Sequence, residues 1–349
     1  MDKILPAYHD PLFSIFIIVV MVLVVAVASN VLGNYRKDKQ RKNLKDFLGT
    51  LTPDECTLHI NKVPFEPLLI NPLSLLAHTL TTQGEYQKAV AIYLYLIDHI
   101  AHFSEKEHLL EALGTTYLKA GFLKRSESVF LEILRKQPRN QTALYSIEVV
   151  YELLNDYEKA MQTLKPLEIM GAKPEKLRAH ITLTSVIRDS SLSQDQKINR
   201  LTAYLEDERY SYRRIIQELF KLDYNRAWDA IREQNLQEIL DVLWFLPTSN
   251  LKLDIIAQNR LLSSIYTARG VLPLENAVED CGLFAIDTMI AARRGGSTEV
   301  DLNFSYGCNQ CKQLFPITFV RCPKCYAINT IQVKESIAKK RTQTGYSLL

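Results

Sequence analysis

LEALGTTYLKAGFLKRSESVFLEILRKQP, residues 110–138, decides the fold of this 349-residue chain. Apolar residues recur in it at three- and four-residue spacing on both sides of Gly121, which is typical of two amphipathic helices joined by a turn. Similar turns, each followed by a small residue and then a large apolar one, begin at Gly84, Asn155 and Leu222. The first two intervals are 37 and 34 residues long. The chain therefore contains an internal helical repeat.

This repeat resembles the tetratricopeptide repeat, a pair of helices with a 34-residue period. The second unit matches the landmarks of that family best, with small residues at Gly114 and Ser126. Such residues let paired helices approach closely, while Tyr117 and Phe130 fill the seam between them. Because a single repeat cannot bury its apolar face alone, several must stack into a superhelix. The resemblance predicts an all-α tetratricopeptide-repeat solenoid over residues 70–292.

A solenoid of this kind should bind its partners along its concave face, which the first helix of each pair supplies. We predict the contacts at first-helix positions that the packing does not claim. In the two best repeats these positions are His108, Glu111, Lys119, Tyr145 and Glu152. An ordinary solvated role is equally open to each of them, so the pattern specifies a scaffold and says little about its ligand.

The helical pattern of the sequence ends at the polar segment 293–298. Two short apolar runs, residues 302–306 and 315–320, predict strands of a small β domain over residues 300–335. This domain holds two Cys-x-x-Cys pairs that are separated by ten residues. The four cysteines are Cys308, Cys311, Cys322 and Cys325.

Two such cysteine pairs can present four thiolates tetrahedrally to one metal ion. Four soft sulfurs suit one zinc ion, with iron as the alternative. Two disulfides or four idle thiols are the other interpretations, and a reducing cytoplasm disfavours the disulfides. Because four protein ligands leave no position for water or substrate, we predict a structural site. Three nearby cations could offset the negative charge of the four thiolates: Lys312, Arg321 and Lys324. A domain of about 30 residues would depend on the metal for its fold, whereas the solenoid would keep a separate core.

The N-terminal segment predicts a membrane anchor. Residues 12–32 carry no charge, and as a helix they would span roughly 31 Å, about one hydrocarbon thickness. Six cations follow within residues 33–45, against one before the span, so the positive-inside rule leaves the C-terminal bulk in the cytoplasm. A cleaved signal peptide is the alternative, because Ala26-Val27-Ala28 fits a cleavage site. The remaining segments are a short periplasmic N-terminus, a basic juxtamembrane linker and a basic C-terminal tail, residues 1–11, 33–69 and 336–349.

Composition and motifs exclude several classes of protein. Hydrophobic residues make up 47 % of the chain and charged residues 23 %, a balance that indicates folding rather than disorder. A net charge of +3 is too small to indicate nucleic-acid binding, and six cysteines are too few for a disulfide scaffold. The sequence has no P-loop, nucleophile elbow, zincin or kinase signature, so it nominates no catalytic residue.

The order of these parts resembles the lipopolysaccharide assembly protein B family of Gram-negative bacteria. That family combines one N-terminal span, a basic juxtamembrane segment, tetratricopeptide repeats and a terminal rubredoxin-type zinc ribbon. The ribbon carries the specific part of the resemblance, and its matching positions beside the four cysteines are Tyr306, Pro323, Thr330 and Ile331. Lys312 and Ile328 depart from the family, which usually has glycine and tryptophan at these positions.

The resemblance implies a non-catalytic adaptor at the cell inner membrane. Family members couple the deacetylase that commits precursor to lipid A synthesis to the membrane AAA protease that degrades it. Those two proteins are the implied partners, a second copy of the chain is a possible one, and nucleic acid is not expected. Two other classes stay open: a tetratricopeptide scaffold for another envelope complex, and a redox protein with rubredoxin-like iron.

Overall fold

The computed structural model describes residues 65–276 and 280–340. The predicted anchor at residues 12–32 and the last nine residues of the predicted tail lie outside this part of the chain. Within it, no helix is both long enough and apolar enough to cross a membrane. The helices and strands below belong to one compact unit that begins at Leu68.

Five successive helical pairs form the first part of this unit. In chain order their helices are α1 (Ile70–Gln83) and α2 (Tyr86–His99), α3 (Phe103–Lys119) and α4 (Leu123–Lys136), α5 (Gln141–Leu153) with α6 (Tyr157–Gln162) and α7 (Leu164–Ile169), α8 (Glu175–Arg188) and α9 (Gln194–Tyr204), and α10 (Tyr212–Leu222) and α11 (Tyr224–Asp229). The predicted turns at Gly84, Gly121 and Asn155 fall between paired helices, with φ of 86°, 79° and 59°. Glycine and asparagine adopt this left-handed conformation most readily. The helical repeat is therefore confirmed.

The second helical pair packs as its sequence predicts. The Ser126 hydroxyl donates a hydrogen bond of 2.8 Å to the carbonyl oxygen of Gly114. The ring of buried Phe130 lies so close to Gly114 that an added Cβ would come within 2.7 Å of it. Only glycine fits at this crossing, which explains the small residue in the motif.

Beyond residue 229 the regular helical pairs give way to short helices, although the sequence predicted repeats as far as residue 292. A 3₁₀ helix, Glu233–Ile239, is followed by α12 (Leu240–Phe245), α13 (Leu253–Gln258), α14 (Arg260–Arg269) and α15 (Phe284–Arg294). Shorter 3₁₀ turns span Pro67–Leu69, Thr248–Asn250 and Leu274–Asn276. Pro247 and Pro273 each interrupt the chain between these helices, since proline has no amide hydrogen to continue one.

A three-stranded antiparallel sheet, which we call the ribbon, ends the described chain. Its strands are β1 (Val300–Cys308), β2 (Leu314–Phe315) and β3 (Ile331–Lys339), in the spatial order β2-β1-β3. The predicted strand over residues 315–320 is reduced to two paired residues, because Pro316 cannot donate a ladder hydrogen bond. The sequence did not predict β3, which runs past residue 335 into the segment expected to be a tail.

The ribbon shares its core with the helices. Leu302, Phe304 and Tyr306 alternate along β1, and all three are buried in the apolar cluster formed by α8 to α15. The ring of Phe304 makes an edge contact with Phe245 of α12, with centroids 5.5 Å apart. The expectation of two separate cores is therefore wrong.

Candidate metal centre and its attachment to the helices

The four ribbon cysteines converge at one end of the sheet, where their sulfur atoms all lie within 4.8 Å of one another. The Sγ atoms of Cys308 and Cys325 are 3.7 Å apart, and so are those of Cys311 and Cys322. Four sulfurs at 2.3 Å from a central metal would be separated by about 3.8 Å. Disulfide sulfurs would be at about 2.05 Å. This group could therefore hold one metal ion.

The backbone forms the same hydrogen-bonded turn after the first cysteine of each pair. The amide of Lys312 donates to the carbonyl oxygen of Cys308 at 2.9 Å, and the amide of Tyr326 donates to that of Cys322 at the same distance. Both donors have positive φ, 60° and 57°. Lys312 and Tyr326 thus adopt a left-handed conformation that non-glycine residues reach at modest cost.

The pKa shifts of Cys308, Cys322 and Cys325 have different directions within the cluster. Burial opposes ionisation of Cys308, but hydrogen bonds from the Cys311 amide and the Thr330 hydroxyl lower its pKa to about 6. Burial and the neighbouring sulfurs raise the pKa of Cys325 to about 12, and burial also raises that of Cys322. Four thiolates together therefore need a cation between them. A tetrahedral set of soft sulfurs suits zinc and iron alike.

Arg321, which precedes the third cysteine, does not offset the charge of the sulfurs as predicted. Its guanidinium donates to Glu148 at 2.9 Å and to Glu152 at 3.1 Å, both on α5, and it also bonds the carbonyl oxygen of Tyr326 at 2.8 Å. We call this group of Arg321, Glu148 and Glu152 the arginine clamp. It joins the second cysteine pair to a first helix of the solenoid.

Burial shapes the charges of the arginine clamp. Glu148 is 1 % exposed, and burial raises its pKa to about 7. Burial also opposes ionisation of Glu152, but hydrogen bonds and charges from His180 and Arg321 lower its pKa to about 2. His180 of α8 lies 2.9 Å from Glu152, and burial lowers its pKa, so a neutral imidazole donates this bond through Nε2.

A second polar contact attaches β1 of the ribbon to the helices, two residues before Cys308. The Tyr306 hydroxyl donates to Asp241 at 2.8 Å, and Arg213 of α10 holds the same carboxylate through two bonds of 2.6 Å. All three side chains are buried. Burial and the neighbouring carboxylate raise the pKa of Tyr306 to about 12, so the hydroxyl remains the donor at neutral pH. Tyr306 thus ties β1 to the helices.

Apolar residues complete the attachment near the arginine clamp. Tyr326 and Ile328 pack against the apolar cluster of α3 to α8, which includes Phe130 and Leu144. Burial raises the pKa of Tyr326 to about 12. The ribbon therefore contacts both apolar clusters of the helical unit.

The predicted partner-binding residues have different surroundings in the structure. His108 and Tyr145 are exposed, and Lys119 is half-buried. Glu111 accepts a hydrogen bond of 2.6 Å from the side-chain amide of Asn140, the residue that caps α5. Glu152 differs from the prediction. Arg321 of the ribbon already binds its carboxylate, so this side chain is not open to an outside partner.

Sequence reasoning missed the acidic and basic residues that receive the ribbon. Glu148, His180, Arg213 and Asp241 were not singled out, although each is buried. One signal was present: Glu148 stands between Ile147 and Val149 in an apolar run, where a charge needs an internal partner. The sequence does not say which partner that is.

Comparison with known proteins supports the repeat. A family model of the tetratricopeptide repeat matches residues 73–101, which cover most of α1 and all of α2. No curated protein matches the chain. The matched unit is the first helical pair, one repeat before the pair that carries the best sequence landmarks. The match and the helical pairs that follow it support a tetratricopeptide-repeat protein, a kind of protein that usually serves as an interaction scaffold.

Proposed function

We propose that this chain is a non-catalytic adaptor of the cell inner membrane. It regulates lipid A precursor synthesis by holding the committed-step deacetylase and a membrane AAA protease together. The matched repeat supports a role in protein–protein interaction. The four-cysteine ribbon and the order of parts along the sequence supply the resemblance to the lipopolysaccharide assembly protein B family.

The observation that carries the proposal is the attachment of the ribbon to the helices. An adaptor must present two surfaces in a fixed relation, and two buried polar contacts fix the ribbon on the helical unit. His108 and Tyr145 remain exposed on first helices, and Tyr145 lies one turn before Glu148 on the face of α5 that binds Arg321. The exposed first-helix residues are then held in a fixed relation to the ribbon.

Membrane attachment and orientation are part of the proposal. Residues 12–32 would form the single span, and the solenoid and ribbon would lie in the cytoplasm. A reporter fused after Leu349 tests this directly. Activity of a reporter that works only in the periplasm would contradict both the orientation and the reducing environment assumed for the thiols.

The metal would be a structural zinc ion held by the four ribbon cysteines. Its bonds would hold the two cysteine pairs in the geometry that brings Arg321 to α5. The absorption spectrum of the purified protein separates this role from that of an iron redox protein, because four-cysteine iron absorbs visible light and zinc does not. A coloured, redox-active protein would contradict the adaptor proposal.

Crosslinking in the membrane followed by co-purification tests the adaptor role itself. We expect the deacetylase and the protease to be recovered together with the intact chain. In cells carrying Cys322→Ser, the deacetylase and lipid A precursor should accumulate, whereas Cys281→Ser, a cysteine outside the ribbon, should leave deacetylase turnover unchanged. A Cys322→Ser protein that has lost its metal yet sustains normal turnover would favour a scaffold for another envelope complex.

A further inference from the structure

Residues 314–320 of the ribbon, which are β2 and the five residues after it, direct aliphatic side chains into solvent. Leu314 is 50 % exposed, Ile317 73 % and Val320 47 %. The two aromatic residues of the loop contact each other instead, with the rings of Phe315 and Phe319 5.3 Å apart, and Phe319 packs against the core. The aromatic side chains thus anchor the loop while three aliphatic ones remain uncovered. We call this segment the apolar loop.

Exposed lysines surround the apolar loop. Lys334 of β3 lies beside Leu314, because their side-chain carbons both lie within about 3.5 Å of the point where a Cβ on Gly307 would be. Lys324 bonds the amide oxygen of Gln313 at 3.2 Å, and Lys312 is exposed at the start of the loop. Among the described residues, none of the three lysines has a carboxylate partner.

Among the described residues of the sheet, the positions next to Leu314 on this face carry no acidic group, and Asp301, farther along β1, accepts a hydrogen bond from the Trp244 ring. Strand alternation and register put Ser305, Gly307, Gln332 and Lys334 on the outer face with Leu314. Glu335 pairs with Phe304 on the opposite, inner face. The outer face of the ribbon therefore combines aliphatic side chains with unpaired positive charge.

We propose that the apolar loop and its three lysines bind the surface of a bilayer that contains anionic lipids. Aliphatic side chains would enter the boundary between headgroups and acyl chains, and the lysines would contact lipid phosphates. This inference rests on the proposed membrane anchor, which would keep the ribbon near the bilayer, so that a weak contact is sufficient. A protein partner is disfavoured, since protein interfaces are enriched in tryptophan, tyrosine and arginine and depleted in lysine.

Tryptophan quenching in proteoliposomes tests this inference with the full chain. Ile317→Trp puts a fluorophore at the centre of the loop, and Ile169→Trp, at a residue of α7 that is 70 % exposed, is the matched control. Trp228 and Trp244 are buried and supply a constant background. The vesicles contain phosphatidylcholine with brominated acyl chains, with or without phosphatidylglycerol.

We expect strong quenching of the tryptophan at position 317 in anionic vesicles, weaker quenching in neutral ones, and little at position 169. Neutralising one of these lysines, as in Lys312→Gln or Lys334→Gln, should weaken the loop's association about fivefold for each lysine. Equal quenching at positions 317 and 169 in protein that floats with the vesicles overturns the inference but leaves the anchor intact. Protein that does not float with any vesicle overturns both. Shielding of position 317 only when a co-purified protein is added identifies a protein docking surface and overturns lipid binding.

Discussion

The two ends of the ribbon are held to the helices by different forces. At one end, β1 inserts Leu302 and Phe304 into the apolar cluster of α8 to α15. At the other, the second cysteine pair depends on the arginine clamp, in which one guanidinium serves two buried carboxylates. The burial of apolar side chains does not depend on a bound metal or on protonation. The arginine clamp depends on both, on the metal that holds the cysteine pair and on the ionisation of the two glutamates. The same small sheet therefore has one end that is fixed and one that responds to conditions.

Loss of the metal should have the largest effect and should fall unevenly on the two ends. Cys322→Ser replaces a thiolate with a neutral hydroxyl, and the binding free energy of a structural metal is on the order of 10 kcal/mol. We expect metal content to fall and residues 321–328 to lose amide protection, while Leu302 to Tyr306 lose less. Elemental analysis and hydrogen exchange measure the two quantities. Equal loss of protection at both ends would contradict the difference between them.

Removal of the clamp's cation should be the next largest effect. Arg321→Met leaves Glu148 buried without its charged partner and Glu152 bonded by His180 alone, which should lower the free energy of unfolding by about 3–5 kcal/mol. Lys324→Met, at an exposed position three residues away, is the matched control and should change it by less than about 0.5 kcal/mol. Chemical denaturation of the chain in detergent measures both. Similar values for the two variants would mean that the clamp does not stabilise the fold.

The pH dependence of the clamp has a defined sign. Burial raises the pKa of Glu148 from 4.5 to about 7, so between these pH values the folded chain retains a proton that the unfolded chain has released. Stability from this group is therefore lost as pH rises through that window. Glu148→Gln cannot ionise, so its stability relative to wild type should increase across the window by up to about 3 kcal/mol.

Denaturation of the Glu148→Gln and wild-type chains at several pH values inside and outside this window measures that increase. Glu132→Gln, on the exposed side of α4, is the matched control. A difference between Glu148→Gln and wild type that stays constant with pH, or decreases, would show that Glu148 is ionised throughout.

The smallest expected effect belongs to the contact between Tyr306 and Asp241. Tyr306→Phe removes one hydrogen bond to Asp241, whose carboxylate keeps both bonds from Arg213. The free energy of unfolding should decrease by about 1–2 kcal/mol, with metal content unchanged. Denaturation and elemental analysis of the same sample check both parts. A loss of metal in this variant would mean that the metal site depends on the contact between Tyr306 and Asp241.

Local patterns made the helical pairs and the cysteine cluster predictable. Gly114, Ser126 and Phe130 lie within 17 residues, so their spacing already describes one helix crossing. The four cysteines lie within 18 residues and need only two tight turns to meet. In both cases the contacts form between parts of the chain that are close in sequence.

The attachment of the ribbon could not be predicted in the same way. Arg321 and Glu148 are 173 residues apart, and nothing in either segment identifies the other as its partner. Arg321 was interpreted from its nearest neighbours, the cysteines, although its charge is satisfied by a distant helix. β3 was missed because Glu335 interrupts the alternation of Ile331, Val333 and Ile337, so the strand is recognised only once β1 lies beside it.

Hydrogen exchange of the full chain before and after chelation of its metal tests the central claim most directly, that the metal-bearing end of the ribbon is clamped on α5. We predict that exchange rises together in residues 321–328 and in α5 (Gln141–Leu153), while α1 and α2 remain protected. Faster exchange that is confined to the ribbon, with α5 unchanged, would contradict the account.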